Sequence, residues 1–171
     1  MVNELRGTHV RLRPATLADQ AVLVAIRATP EVRARWRGDD LAAELVEDLD
    51  DDDLHLYAIE DAGGTVIGAI QWSAEEDPDY RHASMDLYLA PTAHGRGLGT
   101  DAVRTLVRHL FEDQGHHRLT IDPAADNVAA IRCYAKAGFR EVGVMRRYER
   151  GADGTWHVGL LLELLADDGA V

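Results

Sequence analysis

A glycine-rich segment in the middle of the chain has the composition of a phosphate-binding loop. Gly95, Gly97 and Gly99 alternate with other residues, directly between an apolar stretch and a helical pattern. Glycine lets successive backbone N–H groups point to one side, and it removes the Cβ atoms that would keep a diphosphate away. The N-terminus of the following helix adds partial positive charge and free N–H donors, which Arg96 and the Thr100 hydroxyl can supplement. We therefore predict a loop that binds a phosphate-bearing ligand.

The spacing of this loop excludes two common nucleotide-binding motifs. A Walker loop has a lysine and then serine or threonine after its last glycine, whereas Gly99 is followed by Thr100 and Asp101. The pattern Gly-x-Gly-x-Gly also differs from the Gly-x-Gly-x-x-Gly of dinucleotide-binding folds, and no βαβ unit opens the chain. A flexible turn is the alternative for the three glycines alone. Their position between a strand and an amphipathic helix favours binding.

The hydrophobic pattern predicts the elements that must position this loop. Alternation of apolar residues predicts strands over residues 10–14, 54–60, 65–72, 83–89, 118–121, 141–148 and 155–165. Helical spacing predicts helices over residues 17–27, 40–48, 101–112 and 128–136. This order indicates a single α/β domain over residues 1–171. We expect a central mixed, mostly antiparallel sheet of about six to seven strands with helices on both faces.

The glycine loop resembles the acyl-CoA signature of the Gcn5-related N-acetyltransferase (GNAT) superfamily. That signature is Gln/Arg-x-x-Gly-x-Gly/Ala, and here it reads His-Gly-Arg-Gly-Leu-Gly from His94 to Gly99. The histidine replaces the usual Gln or Arg, which weakens one side-chain contact and leaves the backbone cradle intact. The resemblance extends over roughly the whole chain and is strongest in residues 83–148. It implies that acetyl-CoA is the co-substrate. Its phosphates would contact the loop residues from His94 to Thr100, and Leu98 is one of them.

The resemblance also implies how the acetyl-pantetheine arm is held. The strand before the loop would splay from its parallel neighbour, and the arm would bond to the backbone of Leu87 and Leu89. Asn127 would reach the arm from the opposite side, beyond its role as a helix N-cap. Tyr134 would place its hydroxyl near the sulfur, and a strand N–H at Leu87 or Tyr88 could donate to the developing oxyanion.

Acetyl transfer to an amine also requires groups that handle two protons. A primary ammonium titrates near ~10 and a thiol near ~8.5, so a base must neutralise the amine and an acid must protonate the leaving thiolate. Asp86 lies in an otherwise apolar strand and Asp122 ends the next one. Two carboxylates at one cleft suit a polycationic acceptor, and Tyr134 is the candidate acid. Each residue also has a simpler interpretation. Asp86 could be a carboxylate that faces solvent, Asp122 a turn residue and Tyr134 an aromatic residue of the core.

Residues 120–139 narrow the resemblance to aminoglycoside 6′-N-acetyltransferases. These enzymes share an Asp-Pro-…-Asn-…-Ala-Ile-Arg-Cys-Tyr-x-Lys-Ala-Gly-Phe stretch. The resemblance implies that Asp86 and Asp122 bind the amino groups of the antibiotic or take part in catalysis, and that Trp36 lies near the acceptor. The tail over residues 146–157 is more like that of RimJ/RimL-type transferases. A protein N-terminus, a small metabolite amine and a catalytically silent acyl-CoA-binding module therefore remain alternatives.

The charge of the chain narrows the classes of partner. The formal net charge at pH 7 is −12 over 171 residues, so the surface repels phosphate backbones and we expect no nucleic-acid partner. The same charge attracts small cationic amines, although solubility alone would also account for it. The sequence has no apolar run of the roughly 20 residues that a bilayer span needs, and we expect no membrane association.

The cysteine content, the spacing of the histidines and the composition of the first residues predict an intracellular enzyme without a metal. The one cysteine, Cys133, cannot form an intrachain disulfide, and no apolar leader opens the sequence, so we expect a cytoplasmic protein. His116 and His117 are adjacent rather than at ligand spacing, and we expect no metal site. The apolar segment 159–165 could lie centrally in the sheet or pair between subunits. Monomer and homodimer therefore both remain open.

Overall fold

Between residues 4 and 169, which the computed structural model describes, eight strands form one sheet in the order β1-β2-β3-β4-β5-β6-β8-β7. The predictions of a single domain over residues 1–171 and of a start without an apolar leader include residues 1–3 and 170–171, which lie outside that range. The strands are β1 (Leu5–Arg6), β2 (Val10–Pro14), β3 (His55–Asp61), β4 (Val66–Glu75), β5 (His82–Leu89), β6 (Arg118–Ile121), β7 (Arg140–Arg150) and β8 (Trp156–Leu165). Neighbouring strands are antiparallel except β5 and β6.

Helices cover both faces of this sheet. Within the described residues they are α1 (Gln20–Arg27), α2 (Pro30–Arg33), α3 (Leu41–Asp50), α4 (Leu98–Glu112) and α5 (Val128–Lys136). The main core packs Leu106 and Leu110 of α4 against strand residues such as Leu119. A smaller core packs Leu23 of α1 and Leu45 of α3 against the other face. The predicted mixed, mostly antiparallel sheet with helices on both faces is thereby confirmed.

The predicted strand count of six to seven was too low, because the described part of the chain has eight. The added strand is β1, whose two residues are too few to show alternation. The one-turn helix α2 was missed for the same reason. The first predicted helix starts with a 3-10 turn over Leu17–Asp19. Helix α4 starts at Leu98 rather than at Asp101, so the glycine loop runs directly into its first turn.

Asp101 fixes the start of α4 to the amino-terminal strands. Its carboxylate accepts hydrogen bonds from the backbone N–H groups of Thr8, His9 and Val10, at 3.1, 2.6 and 3.0 Å. Charged acceptors make stronger hydrogen bonds than neutral ones, and here one carboxylate satisfies three donors. The helix that follows the glycine loop is therefore held against the turn between β1 and β2.

Strands β5 and β6 are parallel but remain paired over only two residues. Ala83 pairs with Leu119 and Ser84 pairs with Thr120, whose hydroxyl oxygen lies 2.8 Å from that of Ser84. Beyond Ser84 the two strands separate, which confirms the splay expected for this pair. The second half of β5 is therefore open on its β6 side.

The apolar strand β8 lies inside the sheet, between β6 and β7. It pairs with all four residues of β6 on one side and with β7 on the other. Leu162 and Leu164 are buried against the main core, which explains the apolar run in the sequence. Residues 159–165 could lie centrally in the sheet or pair between subunits, and in the structure they lie centrally.

None of the helices between residues 4 and 169 is long and apolar enough to cross a membrane. The longest, α4, has 15 residues, fewer than the roughly 20 that span a bilayer. The same part of the chain brings no three histidine, cysteine, aspartate or glutamate side chains together as a group that could hold a metal ion.

Candidate active site

A cleft of about 540 Å³ lies beside the open half of β5. Helix α5, the glycine loop and the segment around α2 form its other walls. The residues singled out from the sequence that line it are Trp36, Leu87, Tyr88, Leu89, His94, Gly95, Gly97, Gly99, Thr100, Asn127 and Tyr134. Asp86, Asp122, Arg96 and Leu98 do not line this volume. The cleft therefore collects most of the predicted cofactor-binding residues, and the two carboxylates lie outside it.

The glycine loop leads into α4 through left-handed backbone. Gly95 and Gly97 have φ angles of 71° and 76°, in the region that favours glycine. Gly97 is the N-cap of α4, and no atom lies within 4 Å of where its side chain would begin. The open space and the unpaired N–H groups of the first helical turn form a cradle suited to a diphosphate.

Three other loop residues have different surroundings from those expected. Leu98 packs into the main core, so only its backbone could reach a bound phosphate. Arg96 is exposed and lies outside the cleft. The Thr100 hydroxyl donates to the sulfur of Cys133 at 3.5 Å, a contact that joins α4 to α5.

His94 joins the glycine loop to the end of β5. Its Nε2 atom lies 2.9 Å from the carbonyl oxygen of Leu89. Because a carbonyl oxygen only accepts, Nε2 carries the hydrogen. The imidazole is therefore engaged with the protein backbone at the mouth of the loop.

The backbone of Leu87 and Leu89 faces the gap between β5 and β6. The Ala90 N–H donates to the Ile67 carbonyl of the neighbouring antiparallel strand at 2.7 Å. Bonded and outward-facing residues alternate in such a pair, so Leu89 and Leu87 direct their N–H and C=O groups away from β4. The Leu87 N–H also donates to the Asp86 carboxylate at 2.8 Å. These are the positions at which a pantetheine arm was expected.

Asn127 begins α5, as the sequence predicted. Its side-chain oxygen accepts a hydrogen bond from the Ala130 N–H at 3.3 Å, which satisfies one free donor of the helix terminus. Asn127 also lines the cleft. Since its oxygen is engaged in the cap, its amide nitrogen is the group left to reach a ligand.

Cationic side chains line the cleft although the chain carries a net charge of −12. They are Arg35, Arg132 and Lys136. Sequence analysis missed all three, although the spacing of four residues between Arg132 and Lys136 on α5 indicated a shared helix face. Positive side chains close to a helix N-terminus favour an anionic ligand.

The Asp86 carboxylate touches solvent in crowded protein surroundings. The residue is exposed on β5, yet many protein atoms surround its carboxylate, and this burial raises the pKa of Asp86 to about 7. The hydrogen bond from Leu87 opposes the rise, and the charges of Asp122 and Glu149 add to it. A carboxylate with this pKa exchanges a proton at neutral pH, as a general base must.

Tyr134 lies between the cleft and the two carboxylates. Its ring is buried in the main core and meets Phe139 edge to face, while the residue also lines the cleft. Burial, followed by the charges of Asp86, Cys133 and Asp122, holds the pKa of the Tyr134 hydroxyl well above its usual value. The hydroxyl is therefore a hydrogen donor at neutral pH.

Asp122, directly after β6, accepts a hydrogen bond from the Tyr148 hydroxyl of β7. This bond, with burial and then the negative charges nearby, raises the pKa of Tyr148 to about 12. Sequence analysis missed Tyr148 and Glu149. Their strand pattern gave no signal because β7 changes register between Met145 and Glu149.

Trp36 lines the cleft and packs against Tyr88. The two ring centroids are 4.9 Å apart and the planes meet at 77°. The Arg27 guanidinium lies 5.9 Å from the centroid of Trp36. The structure thus brings Asp86, Asp122 and Tyr134 together, and it places Trp36 in the wall of a cleft that the two carboxylates do not line.

A family model covers most of the chain. The acetyltransferase (GNAT) domain matches residues 9–140, which include the open half of β5, the glycine loop, α4 and α5. The chain belongs to the GNAT acetyltransferase family. Enzymes of this family use acetyl-CoA, and the cleft has two features that suit this molecule, namely the left-handed cradle at Gly97 and the splay of β5 from β6.

Known relatives and structures agree with this assignment. Aminoglycoside N(6′)-acetyltransferase type 1 of Klebsiella pneumoniae is 44% identical over 75 residues, which are 43% of this chain and 36% of the relative. The chain thus matches about a third of that relative's length. AAC(6′)-Ib in complex with coenzyme A and kanamycin aligns with a TM-score of 0.76 at 28% identity, covering 93% of this chain and 96% of that one. Mycobacterium smegmatis RimJ in complex with CoA-disulfide aligns with a TM-score of 0.82 at 24% identity, covering 98% and 88%, and shows the fold alone.

Proposed function

We propose that this N-acetyltransferase acetylates a primary amine of a small polycationic acceptor, specifically the 6′-amine of an aminoglycoside. The observation that carries the proposal is the Asp86 carboxylate, with a pKa of about 7, close to Asp122 and the Tyr134 hydroxyl. Two carboxylates together suit an acceptor with more than one ammonium group. The 28% identity to an aminoglycoside acetyltransferase over nearly the whole chain supports the same class.

The walls of the cleft would hold acetyl-CoA, which supplies the acetyl thioester. The backbone N–H groups of residues 94–100 receive the diphosphate at the start of α4. Arg132 and Lys136 add positive charge on the same side of the cleft. The outward-facing backbone of β5 and the Asn127 amide hold the pantetheine arm.

Asp86 accepts the proton that the acceptor amine must lose. A primary ammonium titrates near ~10, so the acceptor arrives charged, and Asp86 and Asp122 attract it in that form. A base with a pKa of about 7 can then take the proton directly or through a water molecule. The neutral amine is free to attack the thioester carbonyl.

The Tyr134 hydroxyl serves the departing thiolate. Because its raised pKa keeps it protonated at neutral pH, it can donate a hydrogen bond to the sulfur as negative charge develops there, and the proton can follow. The base and the acid are thus two different residues, Asp86 for the amine and Tyr134 for the sulfur. A catalytically silent module would need neither group.

The Leu87 N–H is the better of the two strand donors considered for the developing oxyanion. Tyr88 pairs with Ala69 in the bonded position, so its N–H is engaged by β4. The Leu87 N–H faces the gap and must exchange its bond to Asp86 when an acyl oxygen approaches.

The test is an assay of free thiol released from acetyl-CoA with a panel of amines. The panel contains kanamycin, tobramycin, an aminoglycoside with a hydroxyl at the 6′ position, a polyamine and a peptide with a free amino terminus. We expect turnover with the 6′-amines and none with the 6′-hydroxyl compound. Asp86→Asn should lower kcat/KM by about 100-fold and leave acetyl-CoA binding, measured by calorimetry, unchanged.

The control variant is Glu112→Gln, which removes an exposed carboxylate at the far end of α4. It should retain full activity. No turnover with any 6′-amine, in protein that binds acetyl-CoA, would contradict the proposed acceptor. Faster turnover of the peptide than of every aminoglycoside would assign the site to protein N-termini instead.

A further inference from the structure

Tyr148 reaches Asp122 because β7 is irregular at that point. From Met145 to Glu149 the strand advances four residues, while its partner β8 advances only two, from Gly159 to His157. Arg147, within this bulge, has a φ of 51°, in the left-handed region that non-glycine residues seldom adopt. The bulge takes Tyr148 out of the normal alternation of β7.

Gly159 provides the space that the Tyr148 ring occupies. A Cβ atom at position 159 would lie 2.7 Å from Cδ1 of Tyr148 and 3.3 Å from Cε of Met145. Gly159 also forms a bridge with Ala124, two residues after Asp122. The bulge, the glycine and the segment that carries Asp122 therefore pack as one unit.

The Asp122 carboxylate is bonded through one oxygen. Tyr148 donates to Oδ2, and no other group among residues 4–169 donates a hydrogen bond to this carboxylate. A neutral donor on one oxygen fixes the orientation of a carboxylate and leaves its negative charge and its second oxygen for a cation. Asp86 lies close enough for the charge of Asp122 to act on it.

We propose that Tyr148 is a positioning residue that fixes the Asp122 carboxylate as the anchor for a second ammonium group of the acceptor. The inference rests on the proposed function in that Asp86 handles the amine that reacts and Asp122 binds a neighbouring one. The site would therefore select acceptors with two ammonium groups over monoamines. The strained bulge at Arg147 is explained as the device that sets the hydroxyl on Asp122.

The test compares Tyr148→Phe, which removes only the hydroxyl, with Tyr80→Phe at an exposed tyrosine of the β4–β5 loop. We expect Tyr148→Phe to raise KM for kanamycin about tenfold with kcat changed by less than about twofold. Calorimetry should show about tenfold weaker binding of butane-1,4-diamine and unchanged binding of butylamine. Tyr80→Phe should change none of these values. Gly159→Ala, which displaces the ring and keeps the hydroxyl, should reproduce the pattern of Tyr148→Phe.

Each outcome decides the inference. If kanamycin is acetylated and Tyr148→Phe behaves like Tyr80→Phe, or weakens monoamine and diamine equally, the role of Tyr148 is overturned and the proposed function stands. If no aminoglycoside is acetylated, the proposed function fails and the calorimetry still decides. Selectively weaker diamine binding supports the role of Tyr148, whereas equal binding by both proteins, or none by either, overturns it.

Discussion

The Nε2 atom of His94 lies 2.9 Å from the carbonyl oxygen of Leu89. His94 begins the glycine loop and Leu89 ends β5, so one side chain joins the two parts of the chain that would hold the diphosphate and the pantetheine arm of acetyl-CoA. The GNAT signature has Gln or Arg here, and both also carry N–H donors. The departure of this sequence from the signature therefore keeps a donor at the same position.

Removing this donor should loosen the loop. His94→Ala should weaken acetyl-CoA binding about fivefold, since one hydrogen bond contributes about 1 kcal/mol. His94→Gln, which restores an N–H donor of similar reach, should bind within about twofold of the wild-type protein. Calorimetric titration with coenzyme A measures both, and the exposed His117→Ala serves as the control. Unchanged affinity in His94→Ala would show that the contact with Leu89 does not shape the cradle.

A side chain at Gly97, the left-handed N-cap of α4, should cost both stability and cofactor affinity. Gly97→Ala should lower the free energy of unfolding by about 1 kcal/mol because of its backbone angle and should also weaken acetyl-CoA binding. Gly64→Ala is a matched control, since Gly64 has a φ of 79° in the β3–β4 turn and equally open surroundings. It should lose similar stability, measured by urea unfolding, with no loss of affinity. Equal affinity in both variants would argue against phosphate binding at Gly97.

Asp101 should contribute strongly to stability for its position at the surface. Asp101→Asn keeps one accepting oxygen and loses the charge that holds the N–H groups of residues 8–10. We expect a loss of about 2 kcal/mol in the free energy of unfolding. The exposed Glu112→Gln on the same helix should change it by less than about 0.5 kcal/mol. A loss no larger in Asp101→Asn would contradict the anchoring role.

The fold was largely predictable because its elements have strong local patterns. The apolar spacing of α4 and the N-cap at Asn127 fixed two helices, and residues 118–121 were predicted with their observed bounds. Elements of two to four residues, such as β1 and α2, have no period to detect. The predicted start of α4 was too late because Gly99 is a poor helix former. The helix begins at Leu98, whose side chain packs in the core.

The candidate site was predictable only for residues whose type and place in the sequence both indicate a chemical role. Asp86, Asp122 and Tyr134 were identified from residue type and family order, and the structure brings them together. The bond from Tyr148 to Asp122 could not be predicted, because it depends on a bulge that breaks the alternation of β7. The contact between His94 and Leu89 depends on the path of the loop, which residue types alone do not specify.

The charge of Asp86 should cost stability at high pH. Burial raises the pKa of Asp86 to about 7, above the 3.8 of an unperturbed aspartate, so between these values the folded protein binds a proton that the unfolded chain does not. Stability is therefore lost as the pH rises from 3.8 to about 7, and the loss is complete above that value. Asp86→Asn should raise the free energy of unfolding by about 1 kcal/mol at pH 8, a value reduced for contact with water, and by little at pH 5. The exposed Asp52→Asn should give no gain at either pH, and the absence of a gain at pH 8 in Asp86→Asn would contradict the raised pKa.

The most direct test of the central claim, that Asp86 is the general base of an amine acetyltransferase, is the pH dependence of kcat/KM with the best acceptor. Since only the ionised carboxylate accepts a proton, we predict that kcat/KM of the wild-type enzyme rises with pH through a limb at about pH 7. Ionisation of the acceptor amine appears separately, at higher pH. Asp86→Asn should lack the limb near pH 7 and be slower by about 100-fold. A variant that keeps this limb, or keeps wild-type activity at pH 8, would contradict the account.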